Sequence, residues 1–262
     1  MRTPYISITD FRTKAQSELM LETLRKTGSG RRLGIGVMMS WKTLYGHQTK
    51  WSDAFPKNEE IADIFLPEKD AYNVLHYADY DGHGPLAEHL EEVLSWCGKS
   101  VNAFQLDMVW PDPNEVQKFK ARHPEIGFII QMNENALDFV GNDPKKMIEK
   151  LYSYGKSIEY VLLDKSMGKG VGMDAVALLP FALAIEEERD SLDIALAGAG
   201  GLGPDTMYLI GPLAYELPGI SCDAQSKLRP SGNALDPIDW EMAKNYLVRA
   251  AKFFLDNWMD RR

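Results

Sequence analysis

The sequence has few cysteines, no long apolar run and fewer basic than acidic residues. Only two cysteines occur among 262 residues, which excludes a disulfide-based scaffold and is typical of a reducing compartment. No apolar run reaches the roughly 18 residues that a membrane span needs. The first residues, MRTPYISITDF, lack the apolar core of a signal peptide. We therefore expect a cytoplasmic protein.

The charge balance disfavours some classes of partner. Lys and Arg number 29 against 38 Asp and Glu, which gives a formal net charge of -9 and an isoelectric point near 5.1. Such a balance argues against an extended surface for nucleic acid or for an anionic membrane, although it permits a local basic pocket. We expect neither nucleic acid nor membrane as a partner, and the sequence leaves a homo-oligomer open.

Eight short apolar or β-branched runs recur along the chain, each followed by a polar or glycine-containing loop and most by an amphipathic segment. The runs are Tyr5 to Asp10, Leu33 to Met39, Tyr72 to Asp79, Ala103 to Val109, Gly127 to Met132, Tyr160 to Asp164, Asp193 to Ala197 and Gly219 to Asp223. Alternating strands and helices imply parallel pairing through crossover helices. The pattern predicts a single (β/α)₈ barrel over residues 1–262.

The second unit of this pattern is irregular. Residues 40–69 contain two tryptophans and two prolines, so we predict a long loop in place of part of a helix. A long loop at the carboxyl end of a barrel strand is either a substrate lid or a segment that only packs on the barrel.

Polar residues end most of the predicted strands, where this fold carries its active site. Asp10 after strand one is a candidate general base, and Asp164 after strand six is a candidate general acid. Two carboxylates in different environments can divide these roles, although capping of a helix is the ordinary alternative for each. The predicted substrate-binding residues at the same rim are Gln105, Asp107, Gln131 and Asp223.

The strongest local signal is LAGAGGLGPDTM, residues 196–207. Gly200 and Gly201 allow the backbone to approach a ligand, and Pro204 suits the first turn of a following helix. Free N–H groups at a helix start bind oxyanions, and barrels often hold phosphate in the loops after strands seven and eight. We predict a phosphorylated small molecule as the ligand; the plain alternative is a tight turn without a ligand.

A dinucleotide fingerprint is a competing interpretation of the same segment. Gly198, Gly200 and Gly203 satisfy G-x-G-x-x-G, and Asp223 follows at about the distance expected in such folds. It ranks second, because only one helix follows Asp223, whereas a dinucleotide-binding half needs a further strand as well.

The segment HYADYDGHG raises the question of a metal site. Asp79, Asp81 and His83 carry ligand types that suit several divalent ions, but their spacing matches no specific motif. An exposed turn explains the segment equally well, so we predict no metal and no cofactor.

The C-terminal motifs resemble those of the phosphoribosylanthranilate isomerases of tryptophan synthesis. That family carries LD before a glycine-rich loop ending in F-D-W, then L-A-G-G-L-x-P, then V-D-x-x-S-G-V. The counterparts here are Leu163-Asp164 with Gly170, Gly172 and Asp174, then Ala199-Gly200-Gly201-Leu202 with Pro204, then Asp223 and Ser226. The family's Q-L-H-G on strand four is similar to Gln105-Leu106-Asp107-Met108. The resemblance covers the C-terminal two-fifths of the chain; the rest matches mainly in strand order.

The resemblance implies roles for these residues. Asp164 would be the general acid, and the phosphate would be held by Gly170, Gly200, Gly201 and Ser226. The family's base is a cysteine ending strand one, where this chain has Thr9 beside Asp10. Ile8-Thr9-Asp10 is similar to the A-I-D of the sister isomerases of histidine synthesis, which use an aspartate. Lys227 replaces a family glycine and Arg229 an acidic residue, and both are expected to contact phosphate or substrate.

These observations predict an isomerase-like enzyme that acts on a phosphorylated sugar or phosphoribosyl compound through Asp10 and Asp164. One alternative is a barrel that binds a phosphorylated metabolite without converting it. A dinucleotide-binding oxidoreductase is the remaining one.

Overall fold

Eight parallel strands close into a barrel in the computed structural model of this chain, which describes residues 2–52, 54–164 and 172–259. The strands are β1 (Tyr5–Thr9), β2 (Arg32–Ser40), β3 (Ala71–Ala78), β4 (Ala103–Asp107), β5 (Gly127–Met132), β6 (Tyr160–Leu163), β7 (Ala195–Ala199) and β8 (Ser221–Ala224). Each strand pairs with the next, and β8 returns to β1, where Cys222 lies opposite Ile6. The predicted (β/α)₈ barrel is confirmed.

Helices surround the barrel. They are α1 (Lys14–Thr27), α2 (Trp41–Leu44), α3 (Ile61–Ile64), α4 (Leu86–Cys97), α5 (Pro113–Arg122), α6 (Glu134–Phe139), α7 (Pro144–Tyr152), α8 (Ala175–Glu187), α9 (Arg189–Leu192), α10 (Gly211–Glu216) and α11 (Trp240–Met259). Local signals set their ends: Thr13 caps α1 through the N–H of Gln16, and Gly28 ends it in a left-handed conformation. Among the described helices, none has the length and apolarity required to cross a membrane.

The barrel interior is layered because side chains alternate along each strand. Near the amino ends of the strands, Tyr5, Tyr72 and Tyr160 pack against one another with ring centroids 5.1 to 5.7 Å apart. The next inward positions on β3 and β6 are the buried Val74 and Leu162. Among the described residues, this plug fills the amino end of the barrel, so the interior is approached from the carboxyl ends of the strands.

The long segment after β2 is present as predicted. Between β2 and β3 the chain forms only the short helices α2 and α3 and a 3-10 turn, Asn58–Glu60. The ring of Trp41 stacks on that of His83 with centroids 3.5 Å apart, and Lys42 pairs with Asp81 at 2.8 Å. These contacts join the segment to the loop after β3.

Candidate active site

A cavity opens at the carboxyl ends of the strands and contains about 880 Å³ of space, including its open mouth. All eight strands, or the loops that follow them, contribute to its wall. Eight predicted site residues line it: Gln105, Asp107, Gln131, Asp164, Gly200, Gly201, Asp223 and Ser226.

A row of amides fixes the carboxylate of Asp164. Gln105 Nε2 donates to Gln131 Oε1 at 3.0 Å, and Gln131 Nε2 donates to Asp164 Oδ2 at 3.1 Å. Gln105 lies on β4, Gln131 near the carboxyl end of β5 and Asp164 directly after β6, and all three are buried. Their mutual bonds hold the Asp164 carboxylate in the cavity wall, where a bound molecule can reach it.

Asp223 on β8 is the second carboxylate of the cavity. Thr9 Oγ1 lies 3.0 and 3.1 Å from its two oxygens and donates to this carboxylate. Burial raises the pKa of Asp223 from its ordinary 3.8 to about 6; hydrogen bonds from Ser7 and Thr9 and the charge of His76 oppose the rise, and Asp164 adds to it. At neutral pH Asp223 is therefore an ionised carboxylate with more than usual affinity for a proton.

His76 on β3 lies between carboxylates. Its Nε2 is 3.5 Å from Asp107 Oδ2, and the hydroxyl of Tyr80 donates to the same oxygen. Burial alone would lower the pKa of His76, but Asp107, Asp223 and Asp10 together raise it. Sequence reasoning assigned no role to His76, although it shares the inward alternation of Tyr72 and Val74.

Asp10, the predicted base, has a different environment. Its carboxylate forms an ion pair with Arg229 and accepts a hydrogen bond from Gln225 Nε2 at 3.2 Å. Both charged side chains are almost completely buried. The reason lies in alternation: Tyr5, Ser7 and Thr9 share the inward direction on β1, and Asp10 is one residue further, at a φ of 99°. The geometry therefore places Thr9, and not Asp10, against the cavity.

Arg229, a predicted substrate ligand, is also occupied by the protein. In addition to Asp10, its guanidinium donates to the carbonyl oxygens of Gln225 at 2.6 Å and Asp236 at 2.5 Å. These bonds fix the loop after β8. Arg229 is thus an anchor of that loop, and it is not among the described residues that line the cavity.

The glycine-rich loop after β7 forms one wall of the cavity. Gly200 and Gly201 have φ values of 120° and 65°, which favour glycine. Their carbonyl oxygens already accept bonds from Met173 N at 3.0 Å and Thr206 Oγ1 at 2.7 Å. The N–H groups are therefore what this loop can offer to an anion.

The phosphate cradle predicted in the loops after β7 and β8 differs from expectation in one detail. No helix starts at Pro204; a turn and a 3-10 helix, Met207–Ile210, precede α10 in this described part of the chain. Lys227 is half-buried beside the cradle, and an added Cβ on Gly203 would lie 2.9 Å from its carbonyl oxygen. The loops after β7 and β8 thus pack tightly together. The remaining predicted phosphate ligand, Gly170, lies outside the described residues.

The mouth of the cavity has aromatic side chains that sequence reasoning did not assign. Trp51 and Phe55, from the segment after β2, and Tyr80, after β3, line it. The rings of Trp51 and Phe55 are nearly parallel, with centroids 6.4 Å apart. Only the presence of tryptophan in a long loop could have indicated them.

The residues considered for a metal serve a turn instead. The Asp79 carboxylate accepts bonds from the N–H of Gly82 at 3.2 Å and of His83 at 2.7 Å, and lies 2.8 Å from His83 Nδ1. Asp81 pairs with Lys42.

Comparison with known proteins bears on the fold of this chain. No protein-family model matches the chain, and no curated protein matches it. Among solved structures, two of a chitinase from Pyrococcus furiosus are similar: mutants of its active domain 2 complexed with chito-oligosaccharides, and its catalytic domain. Their TM-scores are 0.56 and 0.55 at 12% identity, over 98% of this chain and 97% of theirs. At this identity the similarity shows the shared barrel alone.

Proposed function

We propose that this chain is an acid–base enzyme of the isomerase type that acts on a phosphorylated sugar or phosphoribosyl compound, with Asp223 as base and Asp164 as acid. The observation that carries the proposal is the set of protein groups that line one cavity. Two carboxylates held in different hydrogen-bond environments share it with the glycine-rich loop of Gly200 and Gly201. The proposal keeps Asp164 from the sequence and replaces Asp10 by Asp223.

The reaction follows from the positions of these groups. Ionised Asp223 would take a proton from the carbon next to the carbonyl or imine carbon of the substrate. Asp164, oriented by Gln131, would deliver a proton to the oxygen or nitrogen on the neighbouring carbon. Return of the first proton to that neighbouring carbon, with transfer of the hydroxyl (or amino) proton of the first carbon back to the Asp164 carboxylate, completes an isomerisation that restores both carboxyl groups to their starting states. The N–H groups of Gly200 and Gly201 and the hydroxyl of Ser226 would hold the phosphate and orient the reacting end.

Proton exchange with solvent tests this proposal before the substrate is known. The protein is incubated in D₂O with ribose 5-phosphate and related phosphorylated aldoses, and loss of the proton next to the carbonyl carbon is followed by NMR. We expect exchange by the wild type and a loss of about 100-fold or more in Asp223→Asn and Asp164→Asn. Asp81→Asn, which removes an exposed carboxylate paired with Lys42, is the matched control and should be unaffected.

Binding measured alongside exchange separates enzyme from binder. Thermal stabilisation by ribose 5-phosphate without proton exchange would support a non-catalytic phosphometabolite-binding barrel. The proposal would be refuted if phosphorylated compounds caused neither thermal stabilisation nor proton exchange. NAD(P) belongs in the same screen, although the closed barrel is not the open sheet that a dinucleotide fingerprint serves.

A carbohydrate without phosphate is the second candidate ligand. Trp51, Phe55 and Tyr80 at the mouth suit the apolar face of a sugar ring, and the amides of Gln105 and Gln131 suit its hydroxyl groups. A carboxylate pair also serves glycoside hydrolysis, and the similar chitinase structures share the fold. Stabilisation by chito-oligosaccharides, with release of new reducing ends, would favour this candidate over the isomerase.

A further inference from the structure

His76 is the feature of the cavity that the two-aspartate mechanism leaves unused. It lies on β3, across the eight-stranded barrel from the glycine-rich loop after β7. The side chain is nine-tenths buried. It lines the same cavity as Asp223 and Asp164.

The hydrogen bonds of His76 are incomplete. Neither of its buried ring nitrogens makes a hydrogen bond of ordinary geometry with any described residue. The approach of Nε2 to Asp107 Oδ2, at 3.5 Å, is long for such a bond. An unmet buried donor of this kind is unfavourable, and a bound molecule can remove that penalty by supplying the acceptor.

Charge gives His76 a second distinguishing property. The described residues that line the cavity include the carboxylates of Asp107, Asp164 and Asp223 but neither lysine nor arginine. Arg229 is neutralised by Asp10. An anionic group at the reacting end, away from the cradle, therefore has His76 as its cationic partner in this wall.

We propose that His76 is a catalytic residue of this site: an imidazolium positioned by Asp107 that donates a ring N–H to the substrate oxygen on which negative charge develops. Its place opposite the cradle assigns it to the reacting end and not to the phosphate. The inference rests on the proposed function for the identity of that oxygen. The groups that surround His76 and hold its charge are Asp107 on β4, Asp223 on β8 and Asp10 after β1, with Tyr80 bonded to Asp107.

The charge of His76 is measured first, without any ligand. The chain has five histidines, whose ¹⁵N side-chain resonances are followed against pH and assigned with His76→Asn. We expect His76 to remain an imidazolium at pH 7 and Asp107→Asn to lower its titration midpoint by about 1 pH unit or more. A neutral His76 at pH 7 in the wild type would overturn the inference.

The catalytic role is measured with the D₂O exchange assay on ribose 5-phosphate. We expect His76→Asn to reduce kcat by about 100-fold with little change in KM, as for loss of one oxyanion donor, and to remove the high-pH limb of the rate profile. His89→Asn is the matched control: His89 is similarly buried and its Nδ1 lacks a partner among the described residues, but it packs on α4 against Trp41 and Tyr45. Equal effects of the two substitutions would reduce His76 to a structural role and overturn the inference.

The two proposals fail separately. If exchange depends on Asp223 and persists within twofold in His76→Asn, the proposed function stands and this inference falls. If the wild type exchanges no proton with any phosphorylated sugar, the proposed function falls. The protonation state of His76 at pH 7, and its dependence on Asp107, then decide this inference.

Discussion

Two buried aspartates at the rim of this barrel should respond to the same substitution in opposite directions. Asp223 accepts bonds from neutral hydroxyl groups, whereas Asp10 faces the guanidinium of Arg229. We predict that Asp223→Asn stabilises the protein at neutral pH and that Asp10→Asn destabilises it. The contrast tests whether the environments assigned to the two carboxylates are correct.

The magnitude for Asp223 follows from its pKa. A carboxyl raised from 3.8 to about 6 on folding binds its proton more tightly in the folded than in the unfolded state. Its ionisation therefore removes stability as the pH rises from about 4 to about 6, and the loss at neutral pH is about 3 kcal/mol. Asparagine cannot ionise and can still accept a bond from Thr9. We expect Asp223→Asn to raise the free energy of unfolding by about 1–3 kcal/mol at pH 7.5 and by almost nothing near pH 4.

The magnitude for Asp10 follows from the ion pair. Removing one partner leaves the buried charge of Arg229 without compensation, which costs about 3–5 kcal/mol. Arg229 also fixes the loop after β8 through its bonds to Gln225 and Asp236, so this loop should loosen with it. We expect Asp10→Asn to lower the free energy of unfolding at pH 7.5.

Urea unfolding at pH 4.5 and pH 7.5, followed by the fluorescence of the six tryptophans, measures both variants. Destabilisation by Asp223→Asn at pH 7.5, or an equal gain at both pH values, would contradict the burial and pKa assigned to Asp223. Stability of Asp10→Asn equal to that of the wild type would contradict the buried ion pair.

Three further substitutions probe the cradle and the mouth. Ser226→Ala should weaken the binding of ribose 5-phosphate about tenfold, measured by calorimetry, because one hydroxyl contact to phosphate is lost; unchanged affinity would place the phosphate elsewhere. Gly203→Ala should lower the free energy of unfolding by about 1–3 kcal/mol, since its Cβ would lie 2.8 Å from that of Lys227, and a neutral effect in urea unfolding would contradict this contact. Trp51→Ala should raise KM several-fold with kcat nearly unchanged in the exchange assay, as expected for a side chain that contacts substrate uniformly, and a fall in kcat alone would contradict that role.

Much of this architecture follows from the sequence because parallel strands buried on both faces have an unmistakable pattern. The run YVLL in β6 is apolar throughout, GFIIQM in β5 has Gln131 as its one polar residue, and helical segments separate these runs from their neighbours. The boundaries were less accurate: β7 extends to Ala199, and β4 ends at Asp107. In a glycine-rich or polar stretch, the pairing with neighbouring strands decides where a strand ends.

The site was less predictable because a strand end does not by itself state which side chain faces inward. Alternation from Tyr5 through Ser7 identifies Thr9 as the inward residue of β1, yet a carboxylate at Asp10 was the more attractive base. Arg229 likewise looked available for phosphate, since its partner Asp10 is 219 residues away in sequence. Such a pairing exists only once β1 and β8 are neighbours in the closed barrel.

Asp10 and Asp223 are both buried at the rim of the barrel, but they differ in what each contributes to stability and function. The ion pair of Asp10 and Arg229 offsets part of the cost of burying Asp10, whose pKa burial still raises, and it fixes a loop, so its presence is explained by the fold. Among the described residues, Asp223 has no cation bonded directly to it, and His76 only partly opposes the effect of burial: the ionised form is unfavourable by about 3 kcal/mol at neutral pH, and a neutral residue there would give a more stable barrel. A buried carboxylate that lowers stability, in one open cavity with a histidine whose ring nitrogens make no hydrogen bond to a described residue, is the pattern expected of a site kept for its chemistry. If Asp223→Asn proves both more stable and inactive, the cavity is an active site whose stability cost is retained for proton transfer.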